Sequence, residues 1–295
     1  SEKFNVLQAA MASSERIFTL LDTPVHICSP ENHVHRNEST NYQIIFDDVS
    51  FAYASDNYVL QDVSFEVSPG ERVGIVGATG AGKTTIINLL LRFYDVNRGR
   101  ILVNGRNVRE FDLQELRQMF GLVLQDVYLF SGTVESNIRL GNEKISDVKI
   151  RQAAEAVHAD QFIEQLPGQY LNVIAERGAT LSVGQKQLLS FARALAFDPK
   201  ILILDEATSS VDTQTEVFIQ DALRKLMSGR TTLAIAHRLS TIQDMDKILV
   251  LHRGKVVEVG SHHELLSQRG LYYKLYQLQY EDQKQAPNPK DGFVS

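Results

Sequence analysis

The segment Gly77-Ala-Thr-Gly-Ala-Gly-Lys-Thr84 combines closely spaced glycines with a lysine and a hydroxyl residue. Backbone N–H groups of such a loop converge on phosphate oxygens, and Lys83 adds a full positive charge. The loop lies between a predicted strand, 73–76, and a helix predicted from Thr85, whose positive end adds to the same field. Thr84 offers a hydroxyl oxygen to Mg²⁺. We therefore predict that the phosphates of a nucleoside triphosphate bind to this phosphate loop, residues 77–84.

Two carboxylates follow a second predicted strand. Residues 201–204 read Ile-Leu-Ile-Leu, and Asp205 and Glu206 come directly after them. Ligands of parallel α/β sheets collect at the carboxyl ends of the strands. We expect Asp205 to serve the Mg²⁺ and Glu206 to orient or deprotonate a water that attacks the γ-phosphate. The alternative is a solvated pair of carboxylates at a strand end.

A histidine follows a third predicted strand. Residues 231–236 are mostly apolar or β-branched, and His237 comes next. A polar side chain at such a strand end is placed to hydrogen-bond the γ-phosphate or the attacking water. On these residues alone, a structural histidine is the competing interpretation.

The elements that would position these residues follow from the apolar pattern. Short β-rich runs at 43–46 and 63–67, separated by polar turns, favour antiparallel strands. Further along, short apolar runs alternate with helical patterns, which indicates a mostly parallel sheet with helices on both faces. The predicted strands are 73–76, 101–103, 121–124, 201–204, 231–235 and 248–251, and the longer predicted helices are 146–166 and 185–197.

The two ends of the chain differ from this core. One stripe at helical spacing predicts a leading helix, and its members are Phe4, Leu7, Met11, Ser14, Phe18 and Leu21. Residues 25–41 have no period and read as a linker, while the polar residues 281–295 read as a disordered tail. Ser261 and Glu264 have capping-box spacing, as do Asp112 and Glu115, so each pair marks a helix start.

Composition limits the function further. The 295 residues carry a formal net charge of −6, which lacks the basic excess typical of nucleic-acid grooves. The single cysteine, Cys28, excludes an internal disulfide and a cysteine zinc cluster, and favours a reducing, cytosolic setting. No apolar stretch approaches the ~18 residues of a bilayer crossing, and we recognise no signal peptide.

One further motif supplies a family resemblance. The signature segment, residues 181–185, reads Leu-Ser-Val-Gly-Gln, precedes an apolar helical pattern, and stands about 20 residues before Asp205. This arrangement resembles the signature of ATP-binding-cassette (ABC) ATPases, and the match extends over about residues 42–280. The resemblance implies a P-loop NTPase of α/β class with a mostly parallel core sheet, an antiparallel β subdomain and an α-helical subdomain that carries the signature.

The resemblance also implies roles for particular residues. Tyr53 corresponds to the aromatic that stacks on adenine, and Gln125 to the glutamine that contacts Mg²⁺ and the water. Asp212 corresponds to an aspartate that crosses to a partner subunit, and His237 to the histidine that bridges Glu206 and the γ-phosphate. The implied cofactors are ATP and Mg²⁺, with Thr84, Gln125 and Asp205 around the metal. The implied ATP-binding set besides Tyr53 is Gly77, Ala78, Thr79, Gly80, Ala81, Gly82, Lys83, Thr84 and Thr85.

In the family, the signature of one subunit acts on ATP held by another, so the resemblance implies a dimer with an identical or sister nucleotide-binding domain. The residues concerned are Ser182, Val183, Gly184 and Gln185. Val183 departs from the family pattern, which usually has glycine there, and a β-branched residue strongly disfavours positive φ. Either this position has an ordinary backbone, or the site that it completes is altered.

Two segments resemble exporters in particular. Residues 2–24 resemble the stretch that joins the last membrane helix of an exporter half-transporter to its ATPase domain, and residues 127–138 resemble a segment that faces the membrane part. We therefore expect residues 1–41 to be a leading helix and linker, 42–280 the ATPase domain, and 281–295 a tail. The implied protein is an exporter whose ATPase lies at the cytoplasmic face of the membrane, next to its own membrane domain.

Two other functions compete with export. A soluble ABC ATPase acting on nucleic acid or ribosomes predicts a basic face or a tandem cassette, and the −6 charge with one phosphate loop counts against it. A nucleotide-binding regulator that closes without hydrolysis would lack Glu206 or His237. Both are present, so we expect ATP hydrolysis, and no nucleic-acid partner.

Overall fold

The computed structural model describes residues 2–30, 42–54, 57–205, 213–235 and 239–285. The strands are β1 (Ile44–Ala52), β2 (Tyr58–Val67), β3 (Arg72–Val76), β4 (Arg98–Val103), β5 (Arg106–Asn107), β6 (Phe120–Val123), β7 (Gly132–Thr133), β8 (Val173–Ile174), β9 (Ile201–Asp205), β10 (Thr231–Ile235), β11 (Lys247–His252) and β12 (Lys255–Gly260). The α-helices are α1 (Glu2–Leu21), α2 (Lys83–Leu90), α3 (Leu113–Gln118), α4 (Val134–Arg139), α5 (Asp147–Ala156), α6 (Asp160–Ile163), α7 (Val183–Phe197), α8 (Thr213–Met227), α9 (Leu239–Gln243), α10 (His262–Gln268) and α11 (Leu271–Gln285).

A six-stranded sheet forms the centre, with the order β12-β11-β3-β10-β9-β6. The neighbours from β11 to β6 pair in parallel, and only β12 runs antiparallel at the edge. Every residue of β10 is buried, and β3 and β9 are buried except at one end. Helices cover both faces of a parallel sheet of this kind, so the side chains on both sides of its strands are buried. Such strands are apolar throughout and do not alternate apolar with polar residues. The predicted mostly parallel core sheet is confirmed.

A four-stranded antiparallel sheet, β2-β1-β4-β5, joins the central sheet on one side. Its inward side chains, such as Phe46 and Leu60, share a core with Ile75 of β3 and Ile86 of α2. The predicted antiparallel β subdomain is therefore confirmed, and it packs directly against the helix that follows the phosphate loop.

Helices α4 to α7 pack in a second core that includes Ile150 and Phe191. The prediction of one helix over 146–166 is wrong, because α5 ends at Ala156 and α6 begins at Asp160. His158, between them, has a φ of 60°, a left-handed conformation that stops an α-helix. The predicted α-helical subdomain is present, with shorter helices than expected.

The two ends of the chain differ in packing. Helix α1 confirms the leading helix, yet none of its residues is buried, and its apolar stripe is exposed.

Helix α11 extends to Gln285, five residues into the predicted tail, and residues 286–295 lie outside the described part. Among the described residues, no helix is apolar enough over sufficient length to cross a bilayer. The division at residues 41 and 280 stays a prediction.

Candidate functional site

The predicted site residues follow neighbouring strands of the central sheet. Ile235 of β10 lies beside Ile75 of β3 and beside Asp205 of β9, so the three strands end in one row. On the other side of β9, Val123 of β6 pairs with Leu204. The phosphate loop, Asp205 and Gln125 therefore reach the same edge of the sheet, which we call the carboxyl edge.

The phosphate loop keeps the start of α2 open. Gly82 is the N-cap residue of α2, and no side chain caps the helix there. Its φ of 105° disfavours any side chain, and a Cβ would also approach Leu60 Cδ2 to 2.7 Å. A backbone hydrogen bond fixes the loop to the turn between β11 and β12, since the Gly254 N–H donates to the Ala81 carbonyl oxygen at 3.1 Å. Within the described residues, no side chain caps the first N–H groups of the helix, and a helix start of this kind favours a bound anion.

Lys83 lies across this loop. Its side chain is buried, and Nζ donates to the carbonyl oxygens of Gly77 at 2.7 Å and Ala78 at 3.1 Å. Burial lowers the pKa of Lys83 below its usual value, and the charge of Asp205 acts in the opposite direction. The ammonium group is therefore held at the phosphate loop by backbone acceptors, and the carboxylate of Asp205 at the end of β9 favours its charged form.

Tyr53 provides an aromatic surface beside α2. The ring is half exposed, and its hydroxyl lies 3.2 Å from Thr85 Oγ1. Phe51 and Tyr94 both meet the ring edge to face, with centroids 4.8 and 4.9 Å away. Sequence reasoning missed Tyr94, because nothing in a linear pattern shows that residues after α2 return to Tyr53. The result is a rigid, exposed ring next to the phosphate loop, suitable for stacking.

Oxygen-bearing side chains are available for a divalent cation. Thr84 is exposed although Lys83 and Thr85 on either side are buried, so its hydroxyl faces away from the core. Asp205 is half-buried at the end of β9, and Gln125 is exposed two residues after β6. Hydroxyl, carboxylate and amide oxygens are hard donors of the kind that Mg²⁺ prefers.

The signature segment forms the start of α7. Ser182 is the N-cap residue, and it makes a complete capping box with Gln185. The Gln185 N–H donates to Ser182 Oγ at 3.2 Å, and the Ser182 N–H donates to Gln185 Oε1 at 3.0 Å. Val183 is the first helical residue and is exposed, whereas Gly184 is buried. Val183 thus has an ordinary helical backbone. Of the two alternatives stated for this position, the structure supports the ordinary backbone and not a positive φ.

The signature segment and the phosphate loop belong to different parts of the chain's surface. Helix α7 packs on β6 and on helices α4, α5 and α8. The phosphate loop follows β3, which β10 and β9 separate from β6. Three strand spacings correspond to about 14 Å. The described hydrogen bonds of Ser182 stay within its own helix turn.

Three predicted site residues, Glu206, Asp212 and His237, lie outside the described residues. The elements next to them are described. Glu206 directly follows the last residue of β9, and His237 comes two residues after the end of β10. Their roles remain predictions.

A groove of about 980 Å³ lies beside the free edge of β6, between α3 and the carboxyl end of α7. Its apolar lining includes Leu113, Leu122, Leu140 and Phe197, and its basic lining residues are Arg117, Lys144, Lys149, Arg193 and Lys200. One carboxylate, Asp198, lines it. Sequence reasoning missed this groove, because its walls come from three separate stretches of the chain, 113–122, 140–149 and 193–200.

Arg193 fixes one wall of this groove. Its guanidinium donates to the carbonyl oxygens of Asn137 at 2.9 Å and Tyr128 at 3.3 Å. Burial lowers the pKa of Arg193 from its usual value. The loop that follows Gln125 is thereby tied to α7, and it exposes Tyr128 and Phe130 nearby.

Comparisons with known proteins place this geometry in context. The sequence profile of the family described as ABC transporter matches residues 60–209. The ABC transporter ATP-binding protein YknV of Bacillus subtilis is 48% identical over 277 residues, which cover 94% of this chain and 46% of that protein. An ATP-dependent lipid A-core flippase of Syntrophus aciditrophicus is 45% identical over 280 residues, covering 95% of this chain and 46% of the flippase.

A solved structure agrees with these relatives. A bacterial Atm1-family ABC exporter with ATP bound superposes with a TM-score of 0.82 and 40% sequence identity, over 97% of this chain and 49% of that chain. This chain therefore spans about half the length of the proteins that it matches. The matches favour the exporter class over the nucleic-acid class that the sequence also left open.

Proposed function

Because this chain belongs to the ABC transporter family and is an ABC ATPase domain of the exporter type, we propose that it binds and hydrolyses ATP to drive export across a membrane. The observation that carries the proposal is the start of α2, where the N-cap residue Gly82 leaves backbone N–H groups without a side-chain cap and Lys83 is buried beside them. A triphosphate supplies the negative charge that this arrangement lacks.

Each described residue has a defined task in nucleotide binding. The phosphate loop and Lys83 hold the β- and γ-phosphates, and the exposed ring of Tyr53 stacks on the base. Thr84, Gln125 and Asp205 hold Mg²⁺, directly or through water, and their oxygen donors fit that ion. A bound Mg²⁺ would neutralise charge that develops on the phosphate oxygens.

Hydrolysis is assigned to two residues at the carboxyl edge. Glu206 orients or deprotonates the attacking water, and His237 hydrogen-bonds Glu206 and the γ-phosphate. The support is topological: Glu206 follows β9, and His237 follows β10, the strand that lies between β9 and β3. The strands that precede the two residues end beside the strand that leads into the phosphate loop, and side chains that follow such strand ends are candidates to act on a phosphate bound there.

The complete site requires a second domain of the same kind, from an identical or a sister chain. Ser182, Val183, Gly184 and Gln185 are proposed to close on ATP held by the partner's phosphate loop, with Asp212 contributing to the contact. The support is that Ser182 and Val183 are exposed at the N-terminus of α7, a helix that packs on β6, three strand positions from the strand that leads into the chain's own phosphate loop. A helix N-terminus there adds positive potential to the open side of the γ-phosphate.

The membrane domain of the same protein is proposed to contact the groove beside β6. Its apolar floor suits a short helical segment, and its basic rim favours a segment that carries carboxylates. Helix α1, with an exposed apolar stripe, is proposed to continue a membrane helix. We propose that the ATPase lies at the cytoplasmic face of the membrane, next to that membrane domain.

The decisive experiment is a change at the proposed catalytic carboxylate. Glu206→Gln removes the base but keeps the shape, so ATP should bind without turnover and an ATP-bound dimer should accumulate. Size-exclusion chromatography with ATP and Mg²⁺, together with a phosphate-release assay, measures both effects. Glu110→Gln, at an exposed carboxylate after β5, is the matched control and should behave like the parent. A Glu206→Gln protein that stays monomeric and hydrolyses at the parental rate would overturn the assignment.

A further inference from the structure

The segment between α1 and the ATPase core is attached at a particular hydroxyl. Ser29 Oγ donates to Asp112 Oδ2 at 2.8 Å and accepts the N–H of Leu113 at 3.0 Å. Asp112 and Leu113 form the start of α3, far from Ser29 in the sequence. These two bonds join the leading segment to the domain in space.

Ser29 completes the cap of α3. The first N–H groups of any helix have no partner within the helix. Asp112 Oδ1 accepts the N–H groups of Gln114 at 2.8 Å and Glu115 at 3.0 Å, which leaves the N–H of Leu113 for Ser29. The capping spacing of Asp112 and Glu115 is visible in the sequence, but the acceptor for one of the three N–H groups comes from another part of the chain.

The neighbouring residues show why the attachment is at Ser29. Helix α1 is exposed along its whole length. The hydroxyl of Thr23 donates to the carbonyl oxygen of Thr19, and Cys28 Sγ donates to that of Val25, so both stay local. Ser29 is half-buried and reaches across to another element.

We propose that Ser29 is a positioning residue that fixes the leading segment onto the N-terminus of α3. Helix α3 supplies Leu113 and Arg117 to the groove wall, and its end leads into β6 and then to Gln125. A displacement of α1 is therefore transmitted through Ser29 to the groove wall and to β6, the strand that leads to Gln125. That α1 is displaced by a membrane domain rests on the proposed function; the attachment itself does not.

Amide hydrogen exchange on the 295-residue chain tests the attachment. In Ser29→Ala the N–H of Leu113 loses its acceptor, so its exchange should accelerate about tenfold, the scale of a lost helix cap. The N–H groups of Gln114 and Glu115 keep Asp112 and should change little. Ser29→Thr retains the hydroxyl and should restore the protection of Leu113. Unchanged protection of Leu113 in Ser29→Ala would overturn the proposal.

A spin label gives a second readout. Cys28 is the only cysteine of the chain, is exposed, and stands next to Ser29. A nitroxide at Cys28 should report restricted motion in the parent and faster motion in Ser29→Ala. The matched control is Thr23→Ala, which removes a hydroxyl from the same segment and should leave the label restricted. Equal mobility in the parent and Ser29→Ala would contradict the attachment.

The consequence for coupling is tested in the protein that carries this chain together with its membrane part. Ser29→Ala should reduce severalfold the stimulation of ATP hydrolysis that phospholipid vesicles give over detergent and leave basal hydrolysis in detergent within about twofold, with Ser29→Thr restoring the stimulation. Full stimulation in Ser29→Ala would limit Ser29 to a structural role and overturn the coupling step. The hydrogen-exchange and spin-label measurements need no ATP. Their outcome therefore tests the attachment of Ser29 separately from the proposed function, which the Glu206→Gln experiment tests.

Discussion

Helices α2 and α7 begin in opposite ways, although both are proposed to face ATP phosphates. The N-cap residue of α2 is Gly82, in a left-handed conformation and with no side-chain cap. The N-cap residue of α7 is Ser182, whose side chain completes a capping box with Gln185. One helix start is open and lined by a buried lysine; the other is closed by its own side chains and exposed.

This difference distinguishes two kinds of site. We call the start of α2 with Lys83 the prepared site, and the start of α7, which is proposed to complete the partner's site, the completing site. The conformational cost of holding α2 open, with Lys83 buried, is met when the domain folds, so little reorganisation remains when ATP binds. The start of α7 is stabilised by the capping box of Ser182 and Gln185, so its first N–H groups do not depend on a ligand for hydrogen bonds. Nucleotide affinity should therefore depend mainly on α2, and hydrolysis on the arrival of a second α7.

The largest expected effect is at the prepared site. Lys83→Ala removes the buried charge that is proposed to bind the phosphates, and ATP affinity should fall at least about thirtyfold, the scale of a hydrogen bond to a charged group. Isothermal titration calorimetry measures the affinity. Lys255→Ala, at an exposed lysine on β12, should leave it unchanged.

A melting curve accompanies this measurement, because Lys83 also donates to the carbonyl oxygens of Gly77 and Ala78. If the Lys83→Ala protein is folded and binds ATP as tightly as the parent, the open helix start is not the source of the affinity.

The next effect compares two capping boxes. Ser182 caps α7 with Gln185, and Ser261 caps α10 with Glu264 in the same pattern. Ser182→Ala and Ser261→Ala should each lower the free energy of unfolding by ~1 kcal/mol. Only Ser182→Ala should slow ATP hydrolysis, since only that hydroxyl is proposed to reach the partner's ATP.

Denaturant melts and steady-state ATPase assays measure the two effects. Equal loss of hydrolysis in Ser182→Ala and Ser261→Ala would mean that the serine at the start of α7 acts through stability alone.

The smallest effect is expected at Val183. The backbone of Val183 is helical and does not need a conformation that only glycine adopts. Val183→Gly should therefore lower the free energy of unfolding by ~0.5–1 kcal/mol, because glycine loses more conformational entropy on folding. Hydrolysis should change less than about threefold, measured in the same ATPase assay. A large acceleration would show that the valine side chain holds the partner's site open.

The phosphate loop, the central strands at 73–76, 121–124, 201–204, 231–235 and 248–251, and the capping box at Ser261 were predictable, since each depends on residues within a few positions of one another. The edge strand β12 was not predicted. The interruption of the helix at His158 was not predictable, because histidine is not a residue type that predicts a left-handed backbone, and the burial of Val157 and Ala159 on either side of it is known only from the folded chain. The same limit applied to Tyr94, which lies beside Tyr53 through the packing of α2 against the antiparallel sheet.

The order of residues alone is enough to identify the phosphate loop, Asp205 after its strand, and a serine at the start of α7, because these chemistries reside in short, continuous segments. Folding was needed to bring Asp205 into one row with the strand before the phosphate loop, to bury Lys83, and to form the groove beside β6. It was also needed to place Ser29 on α3. The physical reason is that pairing of parallel strands and capping between distant segments join residues whose separation along the chain carries no information about their distance.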